Sequence, residues 1–141
     1  ILLGALVAGI DAGRNYTDWP LMAGGFLPPD IFDLSPWWRN FFENDGLVQF
    51  IHRLSAYCLF VFAVLVGLKV RKSAHKQTRS AFSLVWVLII FQLVLGVITV
   101  MNSSPWNLAI FHQFSAILLW LAVIRGRFLA GFPVITSLRT N

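Results

Sequence analysis

The chain has 141 residues, of which 57% are hydrophobic and 12% charged, with a mean hydropathy of +0.73 and a formal net charge of +5. Soluble domains are about 45–50% apolar and about 25% charged, so the composition excludes an ordinary soluble domain and points to a bilayer. The basic residues gather at the ends of apolar runs, which makes the positive charge a topology signal and not a nucleic-acid surface. Cys58 is the single cysteine, so an intrachain disulfide is excluded and the redox compartment cannot be read from it.

In chain order, the first element is the apolar run Ile1 to Ile10. It has about half of the ~20 residues that a spanning helix needs. No methionine and no basic stretch precede it, as a signal peptide would require, so it is predicted to be a truncated helix and the chain a fragment. A polar segment, 11–45, follows. Three apolar segments then run from about 46 to 70, 81 to 101 and 106 to 124, each close to spanning length. Only helices or closed barrels satisfy their backbone in lipid, and these runs lack a barrel's alternation. The predicted fold is an all-α polytopic membrane bundle, with three full transmembrane helices and one truncated helix forming a single four-helix unit over 1–141.

Charge sets the orientation. Lys69, Arg71, Lys72, Lys76 and Arg79 crowd the connection between the first two full spans, and Arg125, Arg127 and Arg139 follow the third. By the positive-inside rule these regions face the cytoplasm or mitochondrial matrix. All six acidic residues lie in 11–45 with only Arg14 and Arg39 to oppose them, which places that segment outside. Such long connections tend to be functional. Within it, Ser35 as N-cap and Pro36 as first helical residue predict a short helix. Trp37, Trp38, Phe41 and Phe42 on one side of that helix form either an interfacial anchor or a lid over a cofactor.

A faint repeat is present. His52-Arg53-Leu54-Ser55-Ala56 and His112-Gln113-Phe114-Ser115-Ala116 share H-x-x-S-A, and the spans before them share Leu3-Gly4 and Leu95-Gly96. Two helical hairpins related by a pseudo-two-fold axis are expected.

Ionisable residues inside a span are costly and usually functional. His52 and His112 each lie about six residues into a span, roughly 9 Å deep at ~1.5 Å per residue, on helices running the same way. Two imidazoles at one depth on neighbouring helices suit the two axial positions of a haem iron. Ser55, Ala56 and Ala63 beside His52, with Ser115 and Ala116 beside His112, leave room for a flat ligand, although small residues also serve plain helix packing. Arg53 reads either as a partner for haem propionates or as a snorkelling cation. Gln113 is a candidate for orienting a propionate or an imidazole. His75 is expected in solvent, and Cys58 to pack as a small apolar group. Zinc would want further ligands at the same level, and no acidic residue lies in the three full spans. Neither a nucleophilic triad nor a phosphate loop is present.

The segments Gly4-Ala5-Leu6-Val7-Ala8-Gly9-Ile10-Asp11-Ala12-Gly13, Trp19-Pro20-Leu21-Met22, Arg39-Asn40-Phe41-Phe42-Glu43-Asn44, Val48-Gln49-Phe50-Ile51-His52-Arg53, Leu95-Gly96-Val97-Ile98-Thr99 and Ala109-Ile110-Phe111-His112-Gln113 together resemble the haem A synthase family, in its C-terminal half and its alphaproteobacterial and mitochondrial branch. The resemblance implies one half of a duplicated four-helix bundle, with a histidine pair in each half. It also implies a multi-pass oxidoreductase of the bacterial or mitochondrial inner membrane, which oxidises the C8 methyl of haem O to the formyl of haem A for terminal oxidase assembly.

In the family's catalytic half a glutamate stands three residues before the first histidine, in E-x-x-H-R, whereas this chain has Gln49. A neutral amide cannot act as that carboxylate, so the resemblance implies the half that holds a low-spin haem b, with His52 and His112 on the iron and no catalytic residue in this chain. The family's outer-loop cysteine pair is missing, as in this branch. Implied partners are the N-terminal half of the same protein with haem O bound there, haem O synthase or a second copy, and the lipid bilayer. The alternatives are a non-enzymatic b-type electron-transfer subunit and a structural module whose histidines only hydrogen-bond. An E-x-x-H-R motif on an earlier span would discriminate for the synthase.

Overall fold

The computed structural model describes residues 1–133, so Arg139 lies outside the described residues. Those residues form helices and connecting segments without a strand; their one β-type feature is an isolated bridge between Met22 and Gly25. Helix α1 covers Leu2–Gly9, a 3₁₀ turn covers Trp37–Arg39, and α2 covers Asn40–Glu43. The long helices are α3 (Asp45–Val70), α4 (Lys76–Met101) and α5 (Trp106–Gly131). Each of the three has 26 residues and the length and apolarity to cross a membrane, which makes this a multi-pass membrane protein.

Two boundaries differ from the sequence expectation. Helix α4 begins at Lys76 and not near Ala81, and α5 runs on to Gly131 and not to about Ile124. Arg125 and Arg127 therefore lie inside α5. Hydropathy marks where hydrocarbon ends, but Lys, Gln and Arg are good helix formers, so the helices continue past it. Thr78 Oγ1 donates to the Leu129 carbonyl at 3.0 Å and joins these two extensions.

Local chemistry fixes the other ends. Asn44 caps α3 by accepting from the Leu47 N–H at 2.8 Å, with Asp45 in the first turn and Lys69 in the last, charges that suit the helix dipole. The cap expected at Ser35 is not made. Pro36 occupies that position without a side-chain bond, and the buried Asn40 organises the turn instead. Its amide donates to the Leu34 and Trp37 carbonyls and accepts from the Leu34 N–H. The turn between α4 and α5 needs Ser103 and Ser104 at φ 59 and 48, and Ser104 N–H closes it on the Thr99 carbonyl at 2.8 Å.

Helix α1 packs on α3 and α4 on α5, α3 meets α4, and α1 touches α5, so the four helices close a ring. Val85, Ile89, Leu119 and Ala122 form the tightest core, with Phe60, Ala63, Trp86 and Leu88 around it. Gly67 lies under the Trp86 indole, where α3 and α4 come close. Most large apolar side chains point outward, among them Phe62, Val87 and Val94, because lipid gives them no reason to turn inward. Cys58 is one of these exposed residues and does not pack in the core as expected. His75 also departs from expectation: it is half-buried, and its Nδ1 has no hydrogen-bond partner.

Candidate histidine site and its cap

His52 and His112 fall eight and seven residues into α3 and α5, which preserves the equal depth read from the sequence. Both are half-buried. Each sits against a glycine of the preceding helix. A Cβ at Gly4 would meet His52 Cε1 at 3.4 Å, and one at Gly96 would meet His112 Cε1 at 3.0 Å. Both glycines stand five residues before the last residue of their helix. The Leu-Gly and H-x-x-S-A repeats are thus one repeated contact, and the two hairpins are related by the expected pseudo-two-fold.

Sequence reasoning missed Gln92. Its amide nitrogen lies 2.9 Å from the His112 carbonyl oxygen and 3.1 Å from His112 Nδ1, and Ser115 Oγ donates to its Oε1 at 2.6 Å. The available signal was a lone amide in an apolar span, which has to find a partner. Gln113, by contrast, is exposed, and no side-chain hydrogen bond among the described residues involves it. The amide beside His112 is Gln92.

Gln49, Arg53 and Tyr57 recur every four residues along the face of α3 turned to the 11–45 segment. Arg53 Nη1 donates to the Asp18 and Leu21 carbonyls at 3.0 and 3.1 Å, and Nη2 donates to the Tyr16 carbonyl at 2.8 Å. Gln49 Nε2 reaches the same Tyr16 carbonyl at 3.1 Å, and Trp19 Nε1 donates to the Tyr57 hydroxyl at 3.0 Å. Arg53 is therefore not snorkelling freely. It clamps the segment over the span and keeps only Nε–H and one Nη2 hydrogen for any other acceptor.

The segment has its own small core, with Ala12, Met22 and Asn40 almost fully buried, and Ser104 Oγ ties its Gly13 carbonyl to the α4–α5 turn. Asp18 accepts from the Ala23 and Gly24 N–H groups at 3.1 Å each. Those bonds, Gly24 first, hold its carboxyl below the usual range. Burial pushes the Tyr16 phenol up, with Asp30, Asp45 and Asp33 adding to it. Trp37, Trp38, Phe41 and Phe42 are exposed, while the Tyr16, Asp18 and Leu21 carbonyls are held on α3.

Among the described residues no group of three or more His, Cys, Asp or Glu could hold a metal ion. A cavity of about 630 Å³ opens far from both histidines, near the α3–α4 connection, with Gly67, Arg71, Arg79, Phe82 and Trp86 in its wall.

Fold and site together define a polytopic membrane bundle with a repeated histidine–glycine contact beneath a folded cap. Residues 1–124 match the family model described as cytochrome oxidase assembly protein, COX15-CtaA, and the chain belongs to that family. It is similar to proteins named Heme A synthase: 58% identical over 139 residues to that of Ruegeria sp. (strain TM1040) and 51% identical to that of Paracoccus denitrificans (strain Pd 1222). In both comparisons 99% of this chain is covered but 36% of the relative, so the chain spans about a third of their length. No solved structure matches it.

Proposed function

We propose that the chain is the haem b-binding half of a haem A synthase, in which His52 and His112 would hold the haem iron. The observation that carries the reading is the repeated contact of each imidazole with a glycine of the neighbouring helix. These are cradles that a Cβ would fill, and they hold two neutral nitrogen donors at one depth. The donor set suits haem, because no carboxylate or thiolate stands with it as zinc or a hard cation would want.

When bound, haem b supplies a one-electron carrier. The chain's own residues do the rest. His52 and His112 hold the group, Ser55, Ala56, Ser115 and Ala116 allow close approach, and Arg53 offers its remaining N–H groups to a carboxylate while keeping the cap closed. Gln49 donates its amide to the Tyr16 carbonyl and provides no base, which supports an electron-transfer or structural role for this half. Oxidation of the haem O C8 methyl to the haem A formyl then belongs to the N-terminal half, where haem O binds. Haem O synthase or a second copy are the further partners. The protein resides in the bacterial or mitochondrial inner membrane with 11–45 on the periplasmic or intermembrane side. Reporter fusions at Ala23 and Ala74 should report opposite sides, and the same side at both would overturn this topology.

The ligand assignment is tested in the full-length protein. His52→Ala and His112→Ala should each lower haem b occupancy, introduce a high-spin component and allow carbon monoxide to bind, whereas His75→Ala should leave the optical spectrum unchanged. An unaltered low-spin spectrum in either ligand variant removes that residue from the site.

A further inference from the structure

The cavity of about 630 Å³ lies between α3 and α4 at the end of the bundle away from the cap. Two helical stripes wall it. Val64, Leu68 and Arg71 stand at i, i+4 and i+7 along α3 and its C-cap, and Arg79, Ser83 and Trp86 repeat that spacing on α4. This spacing puts each set on one helix face. The two helices form a hairpin, so both arginines stand at the mouth, on either side of the connection. Val64 and Trp86 lie two turns deeper, roughly 10 Å into the span. Charge is at the mouth and apolar surface lies below it.

The polar groups of these walls are donors without acceptors. Among the described residues Arg71 makes no side-chain hydrogen bond, and the ion pairs there are Arg14 with Asp11 and Arg39 with Glu43. Arg79 gives Nη1 to the Ser73 carbonyl at 2.6 Å and keeps its other N–H groups. The Ser83 hydroxyl and the Trp86 indole N–H also have no partner among the described residues. No carboxylate can answer them, because all six acidic residues lie in 11–45 and Asp45, the last, stands at the opposite end of α3. Such a set calls for an anion. A small ion does not fill the space, since a water's share of liquid volume is only about 30 Å³.

We propose that this groove binds one anionic phospholipid, its phosphate between Arg71 and Arg79 and an acyl chain along Val64, Leu68 and Trp86. The lipid comes from the leaflet at the basic end of the bundle, the inner one in the proposed topology. Guanidinium forks match phosphate oxygens, and tryptophan suits the headgroup level, with its ring on the chain and its N–H toward the polar zone. A zwitterionic head brings a cation of its own to a mouth that already holds two. Lys69, Lys72 and Lys76 on the same connection add to that field, and basic residues beside a span attract anionic lipid.

The experiment exposes detergent-purified full-length protein to equal parts of phosphatidylglycerol and phosphatidylcholine and counts the retained lipids by native mass spectrometry. The wild type should keep one phosphatidylglycerol in preference to phosphatidylcholine. Arg71→Gln should cut that preference about fivefold, the factor that one basic residue near an anionic surface is worth. Lys72→Gln removes the same charge from the same connection but not from the groove wall, so the lipid should stay. Ser83→Leu keeps the charge, removes a donor and narrows the groove; it should release the lipid, and it decides the matter if Arg71→Gln does not fold. Inorganic phosphate should not compete, because it makes no use of the apolar walls. Equal retention of the two lipids by the wild type, or equal losses from Arg71→Gln and Lys72→Gln, overturns the inference and leaves the groove to be covered by the rest of the protein. Displacement by inorganic phosphate overturns it as well, in favour of a plain anion site.

Discussion

The two histidine cradles differ by a few tenths of an ångström, and that difference can be measured. A Cβ at Gly96 would lie 3.0 Å from His112 Cε1, 3.6 Å from Nε2 and 3.7 Å from Nδ1, whereas one at Gly4 would lie 3.4 Å from His52 Cε1 and 4.0 Å from Nδ1. Carbon atoms settle at about 3.5–4.0 Å. Gly4→Ala is therefore an ordinary contact, while Gly96→Ala makes the His112 ring retreat by roughly 0.5 Å or more. That ring cannot tilt freely, because Gln92 on the same helix as Gly96 holds it. Overpacking of this kind costs about 1–3 kcal/mol, roughly 5- to 140-fold in an equilibrium. Alanine's better helix propensity, about 1 kcal/mol over glycine, applies to both positions and cancels in the comparison. Full-length Gly96→Ala should retain less haem b after purification and lose helicity at lower temperature, with Gly4→Ala close to wild type. Indistinguishable behaviour of the two variants would refute the reasoning from cradle geometry.

At the other close approach, a Cβ at Gly67 would run into the Trp86 indole at Nε1. Gly67→Ala should thus destabilise the protein by about 3 kcal/mol, and Trp86→Phe in the same chain should recover part of the loss in a double-mutant cycle. Arg53→Lys keeps the charge but cannot reproduce the fork onto the Tyr16, Asp18 and Leu21 carbonyls. Hydrogen exchange and proteolysis across 16–24 should rise about tenfold or more, the equivalent of losing a single charge-assisted bond, and unchanged protection would mean that Arg53 merely snorkels. Asp18 has a folded pKa below its unfolded one, so its contribution is present above the usual carboxylate range and lost as pH falls through the folded value. Exchange at the Ala23 and Gly24 amides should accelerate in that acid window, and Asp18→Asn should abolish the pH dependence.

What the sequence determined by itself was whatever depends on one segment at a time. Each full span announces itself by apolar length, because a helix in lipid satisfies its backbone alone and needs no partner to be recognised. The depth of His52 and His112 follows from counting along each span, and the Leu-Gly and H-x-x-S-A repeats exposed the hairpin symmetry before any contact was known. Tertiary structure decided what lies across a helix–helix contact. Gln92 meets His112 from 20 residues away, and an amide in an apolar run shows that it needs a partner but not which one. Arg53 is next to His52 in sequence, yet one residue along a helix turns the side chain by about 100°, away from the bundle and onto the cap. The extra turns of α4 and α5 escaped hydropathy because a helix ends where its backbone bonding ends, not where the hydrocarbon does. The fold of 11–45 was hidden most fully, since its carbonyls are held by Gln49 and Arg53 of another element, and only the packed chain brings those donors to them.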